Sequence, residues 1–195
     1  MKEIRSCEIR ASEPTADGSE ALTIKGVPIV FESSTTIKSE VGEYTEIIKR
    51  GALDKCDMSD SRLLYNHDLS RLPYAKTPNT MKFNIEKDGL HMTASLPGTE
   101  EGRSLYEAIK RGDLTGMSFG FKVPPGGDTY DPKTNTRTIN TIEKLYEVSV
   151  TPFPCYQDTS VSTEARDAMK ASKDTYKLKQ DLKIMCNKIY MKRGK

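Results

Sequence analysis

The chain has no Trp, only two His and four Cys in 195 residues. Cys7, Cys56, Cys155 and Cys186 lie far apart with no C-x-x-C pair, which excludes a zinc knuckle or disulfide scaffold and fits a reducing compartment. Two histidines and scattered cysteines do not converge at ligand spacing, so no metal site is expected. No stretch approaches the ~18 consecutive apolar residues of a membrane span, and no charged n-region with an apolar h-region opens the chain. A phosphate-cradling glycine loop is missing too: Gly126-Gly127 follows Pro124-Pro125 and precedes no helix, so it reads as a turn. Neither a cofactor nor a membrane partner is expected.

What is present divides by charge. Residues 1–163 carry 20 Lys and Arg against 24 Asp and Glu; residues 164–195 carry 10 against 4. The basic end has no Pro and no Gly before Gly194, and Leu178, Leu182, Met185 and Ile189 recur at the spacing of one helix stripe. Two readings stay open for it: a solvated helix packing weakly on the body, or a tether to a partner or acidic surface, removable by cleavage. The lysines lack aromatic interleaving beyond Tyr176 and Tyr190, so no nucleic-acid role is expected. The expected division is a body over 1–160 and a basic tail over 161–195, helical or disordered.

The body reads as strands: Glu3–Ile9, Ala21–Phe31 with a bend at Gly26 and Pro28, Glu43–Ile48, Arg62–His67, Gly116–Val123, Thr136–Ile142 and Leu145–Thr151. Ala52–Asp57 fits one helical turn. Met81, Phe83 and Ile85 alternate with polar residues, as do Leu90, Met92, Ala94 and Leu96, and Asp88-Gly89 between them signals a type I′ hairpin turn. Pro97-Gly98 stops that strand. Thr99 then caps a helix with Glu100 and Glu101 in its first turn, Lys110 and Arg111 in its last and Gly112 beyond it. Ala11–Ser19 and Lys133–Arg137 read as mobile loops. The fold class is α+β, a small, mostly antiparallel β-barrel with a few helices, plus the C-terminal basic helix or tail.

Three segments could carry chemistry. In Arg62-Leu-Leu-Tyr-Asn-His-Asp68, an extended chain puts His67 on one face with Leu63 and Tyr65, where a strand exits into polar residues. In Gly116-Met-Ser-Phe-Gly-Phe121, Met117, Phe119 and Phe121 form a core face. The other face sets Ser118 between two glycines, which permits close approach by a substrate backbone. In Leu145-Tyr-Glu-Val-Ser-Val-Thr151, Tyr146, Val148 and Val150 form the apolar face, with Glu147 and Ser149 on the other. Each has an ordinary explanation alone: a polar strand end, a strand packed on another backbone, a solvated carboxylate. His91 shares a face with Thr93 and Ser95 and reads as a rim residue. A serine nucleophile needs a base, and the base needs an orienting partner. His67, Ser118 and Glu147 could fill those roles, with Glu143 and Asp113 as substitutes for the acid and Asp68 a poorer one. Spacing alone does not select this trio.

Taken together, the segments Ile24–Phe31, Glu46–Leu53, Leu64–Asp68, Gly89-Leu90, Leu114–Phe121 and Leu145–Pro152 resemble, in order, the prohead serine proteases of tailed bacteriophages, which are distantly similar to the herpesvirus assemblin proteases. The resemblance implies a compact β-barrel with helices and a catalytic triad of His67, Ser118 and Glu147. It implies a serine endopeptidase that works in the bacterial host cytoplasm inside the immature capsid, cleaving the scaffolding region of the phage major capsid protein and then itself. Backbone N–H groups near Ser118 would supply the oxyanion donors. Oligomeric state is left open, a homo-oligomer included. Two rivals remain: a non-catalytic assembly factor that keeps the fold, and an esterase on the same triad.

Overall fold

A computed structural model describes residues 3–11, 22–39, 42–152 and 163–193. In chain order the strands are β1 (Glu3–Ala11), β2 (Thr23–Val30), β3 (Ser34–Ser39), β4 (Gly42–Ile48), β5 (Arg62–Tyr65), β6 (Ala75–Lys76), β7 (Met81–Ile85) and β8 (Gly89–Ser95). After helix α1 (Glu100–Arg111) come β9 (Gly116–Lys122), β10 (Asp128–Asp131), β11 (Thr136–Ile139), β12 (Lys144–Thr151) and helix α2 (Thr163–Arg193). Eight strands form one sheet in the order β6-β5-β12-β9-β1-β2-β8-β7, and four form a second in the order β10-β11-β4-β3. All pairings are antiparallel except β5 with β12 and β4 with β11.

The expected barrel is corrected here: the larger sheet ends at β6 and β7, which do not pair with each other. Closure needs a hydrogen-bonded last pair. β6 has only two residues, and Thr77-Pro78 follows it, where proline cannot donate to a ladder. The sheet bends instead at two register shifts, between Gly26 and Ile29 in β2 and between Leu145 and Glu147 in β12.

The second shift changes which residues of β12 reach the core. Leu145, Val148 and Val150 are buried there, while Tyr146, expected on the apolar face, falls at the bulge and takes the Lys144 ammonium over its ring. Met117, Phe119 and Phe121 project from β9 into the same core, the two phenylalanine rings 5.2 Å apart.

Helix α1 begins and ends where its caps dictate. Thr99 accepts a hydrogen bond from Gly102 N–H, Gly112 adopts φ 81°, and Leu105, Tyr106 and Ile109 turn into the core. Other expectations are revised. Gly89 makes no left-handed turn. It starts β8 opposite Val30, and a Cβ there would lie 2.1 Å from Ile29 O, so close backbone approach requires the glycine. Residues 52–57 form successive i→i+3 turns rather than a helical turn. The expected loop Lys133–Arg137 is a tight connection into β11, and Arg137 is fully buried, 3.0 Å from Glu46 and 2.6 Å from Asp128. The expected loop Ala11–Ser19 lies, beyond Ala11, outside the described residues.

The basic tail is helical over Thr163–Arg193. Met169 packs with Ile37 and Tyr44 on the smaller sheet, and Lys173 lies over the Tyr130 ring. Farther along, Leu178, Leu182 and Ile184 are exposed. The stripe residues Met185 and Ile189 have side chains outside the description. No helix among the described residues is long and apolar enough to cross a membrane.

Candidate functional site

β12 lies between β5 and β9, and this placement assembles the site. β5 stops at Tyr65. Asn66 and His67 then take left-handed backbone conformations, φ 49° and 60°, and Asp68 N–H closes the turn on Tyr65 O at 3.0 Å. Asn and His enter that region more readily than most side chains, yet each such residue still costs about 1 kcal/mol or more. Hydrogen bonds hold the turn in place: Asn66 N–H donates to Val150 O at 2.9 Å, and His67 N–H to Ser149 Oγ at 3.2 Å. His67 thus reaches the β12 face by a chain reversal, not by sharing a strand face with Leu63 and Tyr65.

Glu147 and Ser149, two apart on β12, share that face. The Ser149 hydroxyl donates to Glu147 Oε2 at 2.5 Å, and His67 Nδ1 lies 2.8 Å from Glu147 Oε1. Glu147 is 2% exposed and His67 20%. A carboxylate accepts hydrogen bonds, so Nδ1 carries the proton of this contact, and in the neutral ring Nε2 is left as the basic nitrogen. A single serine hydroxyl therefore fixes both the acid and the turn that bears the imidazole. The sequence shows Ser149 on the Glu147 face but gives no sign of that double bond, because the His67 backbone donor arrives from another strand.

Ser118 is the register partner of Ser149 on β9, so the two side chains stand on the same face. Residues directly opposite in an antiparallel pair have Cβ atoms about 4.5–5.5 Å apart. Ser118 is 1% exposed, and among the described residues its Oγ has no hydrogen-bond partner. His67, Glu147 and Ser118 therefore lie together on one side of the sheet, with the link between Ser118 and the imidazole not made. Such links often form or tighten only with substrate bound.

The alternative acids are engaged elsewhere. Asp68 bonds the Ser70 backbone and hydroxyl, Asp113 pairs with Arg111, and Glu143 with Lys122. Burial pushes the Cys56 thiol up to about 11, so it is protonated at neutral pH and a poor nucleophile. His91 stands on the β7–β8 hairpin, 3.0 Å from Asp88 and 3.7 Å from Glu86, a half-exposed group on the rim. These three could jointly face a cation, although exposed clusters of this kind are common without one.

A carboxylate-held imidazole on one sheet face with a buried, unengaged serine supplies the three group types of a serine hydrolase. Residues 5–174 match the caudovirus prohead serine protease family, and the chain belongs to that family. It is 26% identical over 137 residues to the prohead protease of Enterobacteria phage HK97, a match covering 68% of this chain and 59% of that protein. The chain therefore spans under two thirds of that relative's length. Its fold is similar to that of the bacteriophage T4 capsid assembly protease, with TM-score 0.52 and 14% identity, covering 78% of this chain and 98% of that one. The family match runs past Met169 into α2.

Proposed function

We propose that the chain is a serine endopeptidase of phage prohead maturation, acting inside the immature capsid on the scaffolding region of the major capsid protein and on itself. The observation that carries this reading is the 2.8 Å contact between His67 Nδ1 and Glu147 Oε1 on the sheet face that also bears Ser118. Family membership and the named relatives support the biological setting.

His67 Nε2 takes the Ser118 proton as Oγ attacks the scissile carbonyl carbon, and Glu147 stabilises the imidazolium that forms. The tetrahedral intermediate collapses as Nε2 protonates the leaving amine and the C–N bond breaks. Water, deprotonated by the same nitrogen, then releases the acyl group and restores Ser118. The lack of bulk beside Ser118, between Gly116 and Gly120, lets an extended substrate backbone come close.

Co-expression of the chain with its capsid protein tests this reading. Wild type yields processed capsid protein, and Ser118→Ala yields intact capsid protein with intact enzyme. Processing by Ser118→Ala would reject it. One feature favours the second reading, a non-catalytic assembly factor: the unbonded Ser118 Oγ. Assembly that depends on the chain but is unchanged by Ser118→Ala would select that reading.

A further inference from the structure

The oxyanion expected in such a reaction needs donors, and the strand that carries Ser118 has few to give. β9 is an interior strand: β1 and β12 both pair with it from Gly116 to Phe121. In such a strand the backbone N–H groups are committed to one ladder or the other. The backbone around Ser118, the expected source of donors, is thus already engaged, and a side-chain donor is called for.

Thr151 meets that need. It lies two residues beyond Ser149 on β12, so alternation brings its side chain to the Glu147 and Ser149 face. Its register partner is Gly116, which places no side chain between Thr151 and Ser118. Thr151 is 5% exposed, and among the described residues its Oγ1 has no hydrogen-bond partner, as with Ser118 Oγ. Buried hydroxyls nearly always find a partner. Two unpartnered ones, a diagonal step apart on one sheet face, mark a place where a polar group of a ligand belongs. A valine would fill the same shape without an orphaned group.

We propose that the Thr151 hydroxyl donates to the carbonyl oxygen of the peptide bond that Ser118 attacks, and so stabilises the oxyanion. This rests on the reading of Ser118 as nucleophile. As the Ser118 Oγ–C bond forms, the carbonyl π pair moves onto oxygen and the serine proton goes to His67 Nε2. Thr151 keeps its own proton throughout and only hydrogen-bonds.

The test follows the rate at which a fluorophosphonate probe modifies the full-length chain, together with thermal unfolding, for wild type, Thr151→Val and Thr151→Ser. Loss of one oxyanion donor slows such reactions about 100- to 1,000-fold. The expected result is a loss of that size in Thr151→Val with an unchanged or raised Tm, and most of the rate kept in Thr151→Ser. A wild-type rate in Thr151→Val overturns the proposal. So does a lowered Tm in Thr151→Val, which would mean that the hydroxyl has an internal partner. So does a Thr151→Ser variant as slow as Thr151→Val. If the probe fails to modify Ser118 in wild type, the nucleophile reading itself fails, an outcome separate from any of these.

Discussion

The hydroxyl of Ser149 donates to Glu147 Oε2 at 2.5 Å, two residues back along β12. Ser149 Oγ in turn accepts the His67 backbone N–H at 3.2 Å. Ser149 is thus a positioning residue in the proposed mechanism. Ser149→Ala should cost about 1–3 kcal/mol of stability, because a buried carboxylate loses a donor. It should also lower the fluorophosphonate modification rate, and Ser149→Thr, which keeps the hydroxyl, should restore most of it. A merely structural serine would lower Tm in Ser149→Ala without slowing modification of the folded fraction.

Replacing Glu147 with Gln removes the charge that holds the His67 tautomer while keeping the shape. A comparable acid-to-amide change in a serine protease triad lowers kcat about 10⁴-fold. Under the proposed function, Glu147→Gln should therefore slow capsid protein processing to a similar degree, measured by the rate of product appearance on gels.

Much of this was readable in the residues themselves. Thr99, the acidic first turn and Gly112 specify α1 because caps are local chemistry. The two faces of β9 follow from alternation alone. His67 was harder: its position depends on two consecutive left-handed residues, and neither Asn66 nor His67 is a glycine that would announce such a turn. Tyr146 was misplaced because a bulge breaks period two without a sequence mark. Arg137 looked like a loop cation because its partners, Glu46 and Asp128, come from elsewhere in the chain.

Arg137 is fully buried between those carboxylates. Breaking a buried ion pair by removing one member leaves an uncompensated charge and costs about 3–5 kcal/mol. Arg137→Met should lose that much in urea unfolding, although the residue lies on the smaller sheet and not on the sheet that carries Ser118.

The Asp57 carboxyl is held well below the usual carboxylate range, first by the Lys144 ammonium at 2.7 Å and then by Ser59. Its folded pKa lies below its unfolded one, so its contribution is present above the ordinary carboxylate range and is lost as pH falls through that range toward the folded value. Asp57→Asn should lower Tm at neutral pH, where that contribution is present, and so flatten the fall of Tm on the acid limb, with little change at the most acidic end.

Met169 joins α2 to the smaller sheet through Ile37 and Tyr44. Met169→Ala should cost about 2–3 kcal/mol, near the low end for core truncations because the cluster is small. Thermal unfolding of the full chain measures it.

The central claim is that a proton passes from Ser118 to His67. Peptide mapping after fluorophosphonate treatment tests it most directly. The account predicts one adduct, on Ser118, absent in Ser118→Ala and strongly suppressed in His67→Ala. An adduct on another residue, or full modification of Ser118 in His67→Ala, would contradict it.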